Sequence, residues 1–132
     1  NDDVISYPKP NRRGDIILFY SNEKDFVKSE VINTYNVLEK EDSKITFFKG
    51  NSKDASWPNR TNRIVFSHID DTVAPTYELY TMPLDGSRKR RITFNSQNDI
   101  LPHWSPNDIN ILVTREGDNY QQIFKILLKE KL

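Results

Sequence analysis

Trp57-Pro58-Asn59-Arg60-Thr61-Asn62-Arg63-Ile64-Val65-Phe66 is followed 47 residues later by Trp104-Ser105-Pro106-Asn107-Asp108-Ile109-Asn110-Ile111-Leu112-Val113. In each stretch a tryptophan precedes an isoleucine by seven residues, with turn-forming residues between them. Proline fixes φ, and Asn, Asp and Ser bond back to their own backbone, so each interval reads as a turn between two strands. Other landmarks keep the same spacing. Ile17, Ile64 and Ile111 stand 47 apart, and Ile45-Thr46-Phe47 returns as Ile92-Thr93-Phe94. Ile32, Leu79 and Ile123 follow at 47 and 44. The apolar runs are short and rich in β-branched and aromatic residues, as in Ile16-Ile17-Leu18-Phe19-Tyr20, which predicts strands. No segment holds a 3.6-residue apolar period for three turns, and residues 120–132 alternate at Ile123 as a strand does.

A period in the forties with several strands per unit is the signature of β-propeller blades. The predicted class is all-β, with about three four-stranded antiparallel blades near residues 1–50, 51–98 and 99–132. In the second unit the inner strand ends near Trp57 and the second strand holds Ile64-Val65-Phe66. The third holds Glu78-Leu79-Tyr80-Thr81 and the outer Arg91-Ile92-Thr93-Phe94. Leu84-Asp85-Gly86-Ser87 makes the last hairpin, where Gly86 accepts positive φ cheaply. A twisted sheet has two apolar faces and cannot cover both alone, so the blades are expected to stack.

The stretches Asp54–Ser67 and Pro102–Val113, together with Glu78–Met82, Leu84–Ser87 and Arg90–Thr93, resemble the WD40-like Pro-Asp repeat of TolB-type propellers. Trp57, Trp104, Pro58, Pro106, Asp85 and Gly86 carry the likeness. In the first unit Tyr7 is expected at the tryptophan position, with Lys9–Asp15 three residues longer than its counterparts. The resemblance implies a non-enzymatic periplasmic or exported scaffold that meets a protein or peptide through one loop face. Similar repeats also form the substrate-filtering propeller of prolyl-oligopeptidase-like serine peptidases, which is the alternative. Propellers use about 4–8 blades. The third unit is expected to stop after its third strand, leaving a bare blade face and an open edge. A longer chain, a homodimer completing a six-bladed ring, or another polypeptide would cover them.

The chain of 132 residues suits one core. Its 19 basic and 19 acidic residues cancel, which argues against binding nucleic acid by charge alone. No apolar run approaches a membrane span, and the absence of cysteine excludes thiol catalysis and thiolate metal sites. No nucleophile elbow or phosphate loop is present.

One loop face carries nine acids, Glu23, Asp25, Glu30, Asp54, Asp70, Asp71, Asp99, Glu116 and Asp118, against five bases, while the other is basic. Long loops on a rigid scaffold commonly carry recognition. The candidate partner-binding residues are therefore His68, Asp70, Asp71, Tyr77, Glu23, Asp25 and Arg115. The bland alternative is a solvated, charged rim. No cofactor is expected. Asp70, Asp71 and Asp99 could attract calcium, yet no EF-hand spacing supports it. His68 is expected at the start of a loop, where it could be exposed, and His103 packed within its blade. Arg88-Lys89-Arg90-Arg91 reads as the charged start of an outer strand. The tryptophans read as core residues. Arg13-Gly14-Asp15 matches an adhesion tripeptide and Asn59-Arg60-Thr61 a glycosylation acceptor, both short enough to recur by chance.

Overall fold

The computed structural model describes residues 5–23, 29–46, 50–70, 72 and 75–128, with only the backbone of residues 5, 6, 22, 23, 29 and 30. Among the described residues eleven strands follow one another: β1 (Ile5–Pro10), β2 (Ile16–Glu23), β3 (Ser29–Asn36), β4 (Glu41–Lys44), β5 (Asn51–Ser56), β6 (Arg63–Ile69), β7 (Glu78–Pro83), β8 (Arg90–Arg91), β9 (Asn98–Trp104), β10 (Asn110–Glu116) and β11 (Gln121–Leu127). They form antiparallel sheets in the orders β1-β2-β3-β4, β5-β6-β7-β8 and β11-β10-β9, so the third blade has three strands among the described residues. No helix is long and apolar enough to cross a membrane among the described residues.

Blade two is covered on both sides. Ile64, Phe66 and Met82 join Leu18, Tyr20, Ile32, Ile45 and Ala55 in one core against blade one. Val65 and Leu79 join Ile111 and Val113 in a second core against blade three. This explains why β6 loses the usual in–out alternation and is buried from Ile64 to His68. Full burial of each large apolar side chain contributes about 1.5–3 kcal/mol. Trp57 packs on the first core and Trp104 on the second, the equivalent places that their spacing predicts. The Trp57 indole N–H donates to the Lys9 carbonyl at 2.6 Å, and the Lys9 ammonium returns a bond to the Ala55 carbonyl at 3.0 Å. Among the described residues Trp104 Nε1 is buried without a hydrogen-bond partner.

The strand registers correct the reading of blade one. Pro10 pairs with Ile17 as Trp104 pairs with Ile111, so Pro10, not Tyr7, occupies the tryptophan position and no three-residue extension exists. Tyr7 instead matches Asp54 and Leu101, and all three have positive φ, at 55°, 57° and 52°. Each opens the same β-bulge: residues 7–8, 54–55 and 101–102 each lie opposite one residue of the next strand. Tyr7 is 71% exposed, so it fills no core slot.

The outer strand of blade two is also shorter than predicted. β8 holds only Arg90–Arg91, and Ile92–Phe94 follow it. The Ile92 N–H donates to the Leu79 carbonyl at 2.8 Å, while the Leu79 N–H donates to Thr93 Oγ1 at 2.9 Å. Ile45 and Thr46 do the same for Ile32, both at 3.0 Å. A threonine hydroxyl thus replaces one backbone acceptor, and the repeated Ile-Thr pair ends the strand in both blades.

Turn chemistry closes the hairpins. Gly86 has φ 78° and donates its N–H to the Pro83 carbonyl, and the Asp85 carboxylate accepts from Ser87 N–H and Oγ–H. Gly50 has φ 107°, and a Cβ there would lie 2.0 Å from the Ile69 carbonyl oxygen, so only glycine fits.

Candidate interaction site

The connections β2–β3, β6–β7 and β10–β11 share one face with the links between blades, because four antiparallel strands return the chain to the side it left. On this face the seam between blades two and three carries a buried polar network. Asp99 is fully buried at the start of β9 and stands directly across from Arg115 on β10. The guanidinium reaches both carboxylate oxygens, at 2.7 and 3.1 Å, and Asn95 Nδ2 donates to one of them at 2.8 Å. Glu78 lies beside them at 2% exposure. Asn95 Nδ2, the Thr76 hydroxyl and the Arg91 guanidinium approach its carboxylate at 3.5, 3.4 and 3.9 Å. Burial pushes the Glu78 carboxyl above its usual range, with Asp99 adding to the rise. The Thr93 hydroxyl and Arg91 oppose it.

Above this network sit more accessible groups. The Lys53 ammonium lies 4.3 Å from the Tyr77 ring centre. Tyr77 is held by its backbone: its N–H donates to Asn98 Oδ1 and its carbonyl accepts from the Asp99 N–H, both at 2.9 Å. Gln97 Nε2 donates to the Tyr120 hydroxyl, and Arg115 covers the Phe124 ring at 4.8 Å. Tyr77, Lys53, Gln97 and Tyr120 thus present aromatic surface and hydrogen-bonding groups on a fixed base.

Several sequence candidates serve the fold. His68 is not exposed: it lies inside β6 at 3% exposure, with its Nδ1 2.8 Å from the Ser52 hydroxyl and its ring edge-on to Tyr80. His103 departs in the other direction and is exposed on β9. Arg115 is engaged by Asp99. Asp70 accepts from the Thr72 N–H and hydroxyl, closing a local turn. Asp71 and Asp25 lie outside the described residues, and of Glu23 only the backbone in β2 is described. Of the calcium trio, Asp99 has its oxygens on Arg115 and Asn95, and Asp71 lies outside the described residues. Among the described residues no group of three His, Cys, Asp or Glu side chains could hold a metal ion.

The basic run is also engaged. Arg91 covers the Phe94 ring at 4.3 Å, and Lys89 lies 5.3 Å from the Tyr80 ring centre. The Asn59 amide nitrogen donates to the Ser105 carbonyl and to Asp108, so the potential glycan acceptor is engaged too. Sequence reasoning missed Lys53, Gln97, Asn98 and Tyr120 as site residues. Only the polar blade link Asn95–Asp99 hinted at them.

Comparison with solved structures gives the fold a name. TolB from Acinetobacter baumannii superposes with a TM-score of 0.80 at 21% identity, over 96% of this chain and 30% of that one. The fold is that of a TolB-like β-propeller. A putative TolB from Agrobacterium tumefaciens gives a TM-score of 0.82 at 14% identity, over 97% of this chain and 47% of that one. An oligogalacturonate lyase from Vibrio parahaemolyticus gives 0.61 at 13% identity, over 93% of this chain and 35% of that one. The chain therefore spans less than half the length of these propellers. No protein-family model matches the sequence, and no curated protein does.

Proposed function

We propose that this chain is a non-enzymatic, TolB-like scaffold that captures a protein or peptide partner through the loop face at the seam of blades two and three. A periplasmic or exported location goes with that reading. The observation that carries it is the mounting of Tyr77, Lys53, Gln97 and Tyr120 over the buried Glu78–Asn95–Asp99–Arg115 network. Preorganised aromatic and polar groups on a rigid base lose little entropy on binding, which favours recognition. The groups that chemistry would recruit are used structurally: His68 bonds Ser52, and Asp99 bonds Arg115.

The test is selection of peptides from a random library displayed against the chain, followed by binding to variants. Tyr77→Ala and Lys53→Ala are expected to weaken the selected peptides about tenfold or more, as for an aromatic anchor and its neighbour. Arg12→Ala with Arg13→Ala, on the opposite face, is expected to leave them unchanged. Peptides that lose affinity only with the arginine pair would contradict the reading.

A further inference from the structure

Blades one and two fill one buried position with different chemistry. The pairs Ile45-Thr46 and Ile92-Thr93 bond Ile32 and Leu79 in the same way, so the preceding residues, Val31 and Glu78, are equivalent. Both are buried, at 4% and 2% exposure. Blade one uses an apolar side chain there, so the fold does not ask for a carboxyl. The contacts of Glu78 are also long for a buried acid. The Thr76 hydroxyl, Asn95 Nδ2 and the Arg91 guanidinium stand 3.4, 3.5 and 3.9 Å away, and the Thr93 hydroxyl donates to it as well.

Two of these donors are shared with the link of residues 95–99. The Thr76 hydroxyl has one proton and two acceptors, Glu78 Oε1 at 3.4 Å and the Asn95 carbonyl at 3.3 Å. Asn95 Nδ2 lies between Glu78 Oε2 at 3.5 Å and Asp99 Oδ2 at 2.8 Å. A charged acceptor makes hydrogen bonds roughly twice as strong as a neutral one, so the charge on Glu78 decides where both donors point. With Glu78 neutral, Thr76 ties to the Asn95 carbonyl and Asn95 to Asp99. With Glu78 ionised, both are drawn toward it and away from the link. The link holds Tyr77, because Asn98 Oδ1 accepts the Tyr77 N–H and the Asp99 N–H donates to the Tyr77 carbonyl. Among the described residues, the charged and titratable groups facing Glu78 come from five strands. They are His68 of β6, directly opposite it, Tyr80 of β7, Arg91 of β8, Asp99 of β9 and Arg115 of β10. Lys53 of β5 lies beside Tyr77. His68 is turned to Ser52, and Arg115 to Asp99.

We propose that Glu78 is a proton-operated catch for the seam site: holding its proton, it leaves the link closed on Tyr77, and releasing the proton to solvent, it loosens the link and weakens partner capture. The direction follows from burial, which favours the uncharged carboxyl and pushes its titration above the ordinary value of 4.5. Capture is therefore strongest at mildly acidic pH and falls as pH rises through the folded value. This regulation rests on the seam being the partner site, whereas the movement of the link needs no partner.

The test follows the backbone amide shifts of Tyr77, Asn98 and Asp99 in the isotopically labelled chain from about pH 4 to about pH 8, first without a partner. One shared step is expected, with its midpoint above 4.5. Glu78→Gln, which cannot ionise, and Glu78→Val, which copies Val31, are each expected to remove that step. Peptides selected on the loop face are then expected to bind the native chain about fivefold or more tightly below the midpoint than above it. They are expected to bind Glu78→Gln equally at both. Amides that do not respond to pH overturn the proposal. So does a step that survives both substitutions, as titration of His68 would, and so does peptide binding to the native chain that ignores pH. Failure to select any peptide counts against the partner site itself, and the amide step then still decides whether the catch exists.

Discussion

Asp108 shows how one side chain joins two blades. Its carboxylate accepts the backbone N–H groups of Asn59, Arg60 and Thr61 at 2.6–3.0 Å, across the seam between the hairpins of blades two and three. It does so from φ 58°, a conformation that disfavours most side chains. Asp108→Gly keeps that backbone and loses the carboxylate; a cost of about 1–2 kcal/mol is expected in urea unfolding. Asp108→Ala is expected to cost about 1 kcal/mol more, because alanine must also hold the positive φ. Burial raises the Asp108 carboxyl, but the bonds from Asn59, Arg60 and Thr61 outweigh it and hold it below its usual range. A carboxyl depressed in the folded state stabilises above its unfolded pKa of about 3.9 and loses that stabilisation as pH falls through the folded value. The stability gap between the native chain and Asp108→Asn should therefore be widest at neutral pH and close below about pH 4. Glu78 has the opposite sign. Its carboxyl is raised, so its contribution is present at low pH and is lost as pH rises through the folded value. Glu78→Gln, which cannot ionise, is expected to gain on the native chain as pH rises. Arg115→Met strands the buried Asp99 charge, and a cost of about 3 kcal/mol is expected, part of it recovered by adding Asp99→Asn.

The strands show where a sequence discloses structure and where it does not. Ile17, Ile64 and Ile111 mark the second strands because burial demands apolar residues there, and demand of that kind leaves a pattern. The 44-residue step to Ile123 also fits, since Gly117–Tyr120 closes a shorter hairpin than the connection in blade two. The bulges are different. Tyr7, Asp54 and Leu101 share a backbone conformation and no side-chain chemistry, because the geometry of the paired strands imposes it. Pro10 hides the first repeat by occupying the tryptophan position without its indole. The Asp99–Arg115 pair was legible as two charges on one face, but only the β9–β10 register makes them partners. The Ile-Thr motif was legible as a repeat, yet its role required the hydrogen bonds. That role is testable. Thr46→Val and Thr93→Val each leave a backbone N–H without its acceptor, and similar losses of about 1–3 kcal/mol are expected by thermal or urea unfolding. Thr→Ser at either position keeps the oxygen and should cost clearly less. Unequal losses would show that the two blades do not use the motif alike.

Across the molecule, the three blades differ in cover. Blade two has a core on each side, whereas blade three exposes Leu101, Leu112, Ile123 and Leu127. Val65 and Leu112 occupy the same repeat position, at 0% and 48% exposure. Val65→Ala should cost about 1–3 kcal/mol, and Leu112→Ala less, although leucine loses more atoms. This follows from stacking, because the value of an apolar residue depends on the blade laid over it. Native-state hydrogen exchange measures the same order directly, residue by residue. The account predicts slowest exchange in β6 and β7, intermediate exchange in β2 and β3, and fastest exchange along the outward amides of β11. Protection peaking in blade three, or spread evenly over the three sheets, would contradict a stack with blade two at its centre.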